Sequence, residues 1–414
     1  MRGPRTMRSL AAGCRGPQRL RRGRLTHNRS GFSLVELMVS LAIGSMLIAG
    51  AVYVYSQSRS TYRLNETVAR LQDQGRYALA VIEPDIELAG YYGFSNTPDA
   101  IRYVKDGNAS AVQATANGMR QLAVRGGDPA PDDVMQAVTG LDNCGINYAA
   151  DVLLPVEGVE GVADGGSYSF GPGRNPSDCA PAHPAVTQAD TLTIRHADTQ
   201  SVPPQAGRLQ LYTSQLTSRS SQLLFSDGVV PSPPPESVDP AHPDRPRKND
   251  VRNLLVHLYY VAQDSDDRAG VPALRVKALT YQNSQSGFDD NELVSGVEDL
   301  QVQFGIDTGD YDADGSIDAG LNVGGIPQTD ARATRYVNPD FLSTVQPDGY
   351  RGTRYQVVAV RVWVRVRAQD PEVGYTDTTH YQYADVDWTP TGAATKYRRV
   401  LMSRTVLLRN ARIL

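Results

Sequence analysis

The sequence predicts an α+β fold: one long amino-terminal helix packed on an antiparallel β-sheet, with a large β-rich body behind it. Three observations lead there. An uncharged apolar run extends from Leu37 to Tyr55. A stripe of apolar and small residues at helical spacing continues it to Ala89. Beyond residue 91 the pattern turns to short alternating segments split by Gly- and Pro-rich stretches. A single helix followed by many strands is the α+β order of elements.

The helix is expected to begin at Phe32. About 24 apolar residues follow, roughly 36 Å as a helix, enough to span a bilayer. The apolar core of a cleaved secretory signal would be shorter, about 7–15 residues. Past Tyr55 the stripe falls at Leu64, Val68, Leu71, Gly75, Ala78, Ile82, Ile86 and Ala89, steps of three and four that define one face of a helix. Glu66, Arg70, Asp73 and Arg76 occupy the other faces. Gly90 suits the helix stop. Pro84 removes a helical hydrogen bond, so the helix should bend or end near Glu83.

Strands are expected at Thr191–His196, Arg208–Tyr212, Gln222–Phe225 and Leu300–Phe304. Asn253–Ala262 and Ala273–Tyr281 read as a hairpin with a longer loop. The clearest strand is Val358–Arg367, with five valines at even positions and Ala359, Arg361, Trp363, Arg365 and Arg367 at odd ones. Arg398–Asn410 also alternates and should close the sheet. Seven prolines between Pro231 and Pro246 exclude a helix or strand interior; that segment is a surface loop or a linker between two lobes.

The most specific motif is Gly31-Phe32-Ser33-Leu34-Val35-Glu36-Leu37 at the head of the apolar run. Glu36 is a lone carboxylate there, and a charge at the centre of a membrane helix costs roughly 2.5–3.5 kcal/mol on insertion scales. It needs a partner. A cut between Gly31 and Phe32 would create an amine four residues before Glu36, on the same helix face. An ordinary signal anchor would have no use for that carboxylate.

This pattern resembles the class III signal of type IV prepilins. The resemblance implies that a prepilin peptidase cuts after Gly31 and methylates Phe32, and that Glu36, fifth in the mature chain, guides filament assembly. Three further stretches, Gly296–Asp307, the valine-rich strand and Tyr397–Asn410, resemble PilW-type minor pilins. The implied fold is pilin-like, and the implied role is a minor pilin in pilus assembly or initiation at the filament tip. The implied partners are other minor pilins, the major pilin, the prepilin peptidase and the inner-membrane assembly platform. A minor pseudopilin of type II secretion shares the same leader logic. A tip adhesin or DNA-uptake receptor on a minor pilin scaffold is a further alternative.

The expected organisation is therefore a leader over 1–31, a transmembrane part over 32–55, an amphipathic part over 56–90 and a periplasmic β-rich region over 91–414, with one or two lobes. Met7 is a second candidate start. The leader holds nine arginines and no acid, which should keep it cytoplasmic and send the carboxy-terminal bulk into the periplasm. Without those nine, 32 basic residues face 45 acidic ones, a net charge of −13. An acidic mature chain argues against direct binding of nucleic acid.

Loss of the leader removes Cys14 and leaves Cys144 and Cys179. A disulfide between them would close a loop of about 36 residues and contribute roughly 3–4 kcal/mol in the chain-entropy model. Two free thiols are the alternative; a zinc site lacks the close-spaced ligands it needs. Asp310, Asp312, Asp314, Gly315, Ser316 and Asp318 follow the spacing of an EF-hand-type calcium loop. Leu321 stands where the bidentate Glu would be, so a structural calcium would need a ligand from elsewhere; a solvated acidic turn has the same composition. No cofactor is required. Arg361, Arg365 and Arg367 beside Trp363 would suit an anionic partner, or cross-strand pairing. The chain lacks the H-E-x-x-H, G-x-S-x-G and P-loop motifs, and the six histidines are scattered, so it is not read as an enzyme. His196 and His257 fall in strand-like runs and are read as structural.

Overall fold

The computed structural model describes residues 31–93, 101–103, 148–149, 152, 154–162, 181–214, 221–229, 249–307, 333–340 and 356–410. The expected leader before Gly31, Cys144, Cys179, the 310–318 stretch and the 231–246 segment lie outside the described residues. The chain divides into one unit ending at Arg63 and another beginning at Leu64. Helix α1 (Leu34–Leu88) contributes to both.

In the first unit, Ser33 caps the helix. The Glu36 N–H donates to Ser33 Oγ (3.1 Å), and the Leu37 N–H to the Ser33 carbonyl (3.1 Å). The hydroxyls of Ser40, Ser45, Ser56 and Thr61 each donate to a carbonyl one turn back. Apolar surroundings offer such groups no other partner, so a helix can carry them there at little cost. The large side chains of this stretch, Met46, Leu47 and Ile48 among them, are exposed. Length and composition make α1 a candidate membrane span.

In the second unit, fourteen strands follow α1 among the described residues. They are β1 (Ile101–Tyr103), β2 (Val156–Val159), β3 (Thr191–Ala197), β4 (Ala206–Ser214), β5 (Ser221–Asp227), β6 (Asn249–Ala262), β7 (Ala273–Gln282), β8 (Gln285–Ser295), β9 (Val297–Asp307), β10 (Arg335–Val337), β11 (Gln356–Arg367), β12 (Tyr381–Tyr383), β13 (Val386–Trp388) and β14 (Arg399–Leu407). A larger sheet runs β1-β5-β4-β6-β3-β2, with β7 also on β6 and β8 on β7. Only the β1–β5 pair among these is parallel. A second sheet is β10-β9-β11-β14, wholly antiparallel. Strands from both sides of residues 231–246 share the larger sheet, because β4 pairs with the start of β6.

Period-two alternation sorts the side chains. On β6, Tyr259 and Val261 enter a core shared with the helix; Leu254, Val256, Leu258, Tyr260 and Ala262 enter another on the opposite face. Both faces of β6 are therefore buried. The even valines of β11 from Val360 to Val366 meet Leu71, Ala78, Leu79, Ile82 and Ile86 of α1 in the first core. Gly75 sits where the helix crosses β14: a Cβ there would lie 2.7 Å from Met402 Sδ.

The expected helix and strands are present, with one correction. The helix does not stop near Glu83 but continues through Pro84 to Leu88. Pro84 is exposed, so its missing hydrogen bond falls on the outer side of the helix. Ile82, Ile86 and Ala89 are fully buried on the inner side, and Glu83 and Glu87 pair with Arg404 and Arg409 of the last segment. Burial of that turn outweighs a proline penalty of about 3 kcal/mol. Gly90 then ends the helix in the left-handed region (φ +75°), as its position implied. The strand β8 was not anticipated: its sequence, Q-S-G-F-D-D-N-E-L-V-S, is polar and acidic.

Candidate functional site

Two regions are candidates for a functional site. The first is the amino terminus. Gly31 and Phe32 precede the helix, and Glu36 stands on its first turn, exposed. The helix begins two residues later than expected. Ser33 is the capping residue, a role that sequence reasoning passed over although S-L-V-E carries the Ser and Glu of a capping box.

The second region is the helical end facing the larger sheet. Asp85 lies in the last turns of α1; His196 and His257 lie on adjacent strands β3 and β6, two register places apart on one face. Their rings are 6.2 Å apart. Asp85 Oδ2 accepts from His257 Nδ1 (2.5 Å) and from the Tyr259 hydroxyl. Asp85 Oδ1 lies 3.5 Å from His196 Nε2. Burial alone would raise the Asp85 carboxyl, but its neighbours His196, His257 and Tyr259 hold it below the ordinary carboxylate range. Reading the two histidines as structural missed this convergence, because Asp85 and His257 are 172 residues apart.

The arginine face of β11 is the cross-strand arrangement. Arg365 donates to Glu298 Oε1 (2.7 Å) and to the Tyr383 hydroxyl (2.5 Å), and its guanidinium lies 4.3 Å from the Trp388 ring centre. Arg399 of β14 donates to the same Glu298 oxygen and, at 3.2 Å, to Asp377. Arg361 lies 3.8 Å over the Tyr336 ring. Arg367 stacks on Tyr397 and donates to the Gly270 carbonyl. These cations are spent inside the protein, fastening β9, β11, β14 and the β12–β13 hairpin to one another.

A buried acidic group lies between the sheets. Asp190 accepts from the backbone N–H groups of Gly161 (2.7 Å) and Val302 (2.8 Å). Nearby, burial, with the charges of Asp190, Asp385 and Asp340, pushes the Glu160 carboxyl up to about 9.

Residues 258–410 match the family model described as type IV pilus-assembly protein W, and residues 26–52 match the prokaryotic N-terminal methylation motif. The carboxy-terminal region is therefore similar to PilW-type pilus-assembly proteins, and the amino terminus to the methylated terminus of pilins. A type IV-like pilin from Thermus thermophilus is similar at 13% identity over 55% of this chain and 82% of that one, with a TM-score of 0.23. No curated protein matches the chain. The PilW-type region runs from the middle of β6 through Asn410, and so takes in the whole second sheet and its arginine network. The methylation-motif match spans Gly31, Phe32 and Glu36. That motif and the apolar helix point to membrane anchoring and incorporation among pilus components.

Proposed function

We propose that this chain is a minor pilin that takes part in type IV pilus assembly or initiation, seated at the filament tip. The observation that carries the reading is the joining, in one chain, of an N-terminal methylation motif and a PilW-type region. Cleavage after Gly31 and methylation of Phe32 prepare the terminus. The Phe32 amine pairs with Glu36 of this chain or of a neighbour and sets register. Serines that hydrogen-bond within the helix leave the apolar surface of residues 34–55 free to pack on other pilin helices. The arginine-rich leader keeps the amino terminus cytoplasmic and the body periplasmic. Over 300 residues follow the helix, a head too large to repeat along a tightly packed shaft. The partners are then the major pilin, other minor pilins, the prepilin peptidase and the inner-membrane platform. The work is assembly by shape and charge pairing, without turnover.

The test is a clean deletion with a complemented control, scored for surface pili by shearing and electron microscopy. Loss of pili restored by complementation supports the proposal. Normal pili with impaired export of secreted proteins would move the chain to type II secretion. Normal pili and normal export, with binding to surfaces or DNA lost, would make it a tip adhesin or uptake receptor.

A further inference from the structure

The Asp85, His196 and His257 group has a feature that packing alone does not explain. His196 Nδ1 lies 2.9 Å from the Ala197 carbonyl, which can only accept. The proton of a neutral His196 is thereby fixed on Nδ1, and the Nε2 lone pair is bare. That Nε2 is buried and has no hydrogen-bond partner. It faces Asp85 Oδ1 across 3.5 Å, an acceptor opposite an acceptor. Two lone pairs held together in a buried place repel unless a positive charge lies between them. A hydrogen bond to an ionised partner would draw in to about 2.7–2.9 Å; the gap is wider than that.

We propose that Asp85, His196 and His257 form a binding site for a divalent transition metal of zinc type. One ligand atom from each residue lies within 4.8 Å of the other two. Two imidazole nitrogens and a carboxylate oxygen suit zinc, which takes three protein ligands and a water in many of its sites. The surroundings match what such ligands need. The Ala197 carbonyl orients His196 through its far nitrogen, and the Tyr259 hydroxyl orients the carboxylate of Asp85. His196 is 4% exposed, while Asp85 and His257 are 15% and 23% exposed, which leaves a way in for the ion and a place for its water. On binding, the metal takes the place of the proton shared by His257 Nδ1 and Asp85 Oδ2. That proton shifts to His257 Nε2, so the imidazole stays neutral. The ion ties the last turns of α1 to β3 and β6, closing the end of the helix onto the sheet beside Pro84.

The experiment uses the full chain in detergent micelles, stripped with EDTA and reloaded with Zn²⁺. Metal content is read by mass spectrometry after gel filtration, and stability by thermal unfolding. One zinc per chain, with a Tm rise of about 5 °C, is expected. His257→Gln and His196→Gln should each lose both the metal and the shift. Cobalt(II) in place of zinc should give the intense visible bands of a four-coordinate site, absent in His257→Gln. Asp85→Asn, which preserves side-chain size, replaces His196→Gln should that variant fail to fold. A parent chain that retains no metal, or folded variants that retain as much as the parent, would overturn the site.

Discussion

In the proposed role, single residues carry the functional weight at the amino terminus. Glu36 is exposed on the first turn of an apolar helix, with its backbone N–H satisfied by Ser33. Its carboxylate is therefore not needed to start the helix. Glu36→Ala should leave folding and cleavage intact and yet reduce incorporation into filaments; immunoblots of sheared pili against whole-cell fractions measure both, and normal incorporation would remove the charge-pairing role. Glu160 makes a prediction of a different kind. Its carboxyl has an ordinary value of 4.5 and is pushed up to about 9 in the folded chain. Between those values the folded state holds a proton that the unfolded state has lost. Stability must then fall as pH rises through this window, by up to about 1.4 kcal/mol per unit at the steepest. In denaturant titrations, Glu160→Gln should flatten that slope; an unchanged slope would exonerate Glu160. What was legible at this scale was local. Gly31, Phe32 and Glu36 lie within six residues, and their motif needs no fold to be seen. The meeting of Asp85 with His196 and His257 depends on register between two strands and a helix, which no local pattern encodes.

At the scale of elements, the strands that alternate cleanly could be read directly, and β11 is the model case. Its valines are buried against α1, and its arginines lie across Trp388, Tyr336 and Tyr397. Strand β8 was illegible because turn geometry, not hydrophobic pattern, makes it. Asn283 and Ser284 both take positive φ, 50° and 63°, between the paired residues Gln282 and Gln285. A two-residue turn of that hand forces the next segment back along β7 whatever its composition. Its acids then find buried cations: Asp290 pairs with Arg275. The helix ran past Pro84 for a similar reason, since tertiary burial overrode a local penalty. Between β8 and β9, Gly296 has φ +87°, and a Cβ there would come within 2.9 Å of the Arg367 carbonyl. Gly296→Ala should therefore cost about 1–3 kcal/mol in unfolding experiments; a loss of only a few tenths would mean the turn relaxes freely.

At the scale of the whole molecule, the fold class was legible because element order alone decides it. The pairing of strands was not, because β6 serves three neighbours at once. Millimolar calcium should raise the Tm of the chain, and Asp312→Ala should abolish the rise; no shift in the parent would dismiss the 310–318 loop as an ion site. If Cys144 and Cys179 are bonded, reduction should lower the Tm, while a Cys144→Ser, Cys179→Ser chain should be insensitive to reductant.

The last described segment closes against the first element: Arg404 and Arg409 reach Glu83 and Glu87, and Met402 lies against Gly75. This closure sets a timetable. The helix is synthesised first and its partner strand last, more than 300 residues later. The inward face of α1 must therefore wait, partly uncovered, until β11 and then β14 are made. Contacts so distant in sequence form slowly, and apolar surface left waiting is open to aggregation. A chain built this way gains from a chaperone that shields residues 71–89 until their strands arrive, and a chain truncated before Arg399 would leave uncovered the part of that face that meets Val400, Met402 and Val406.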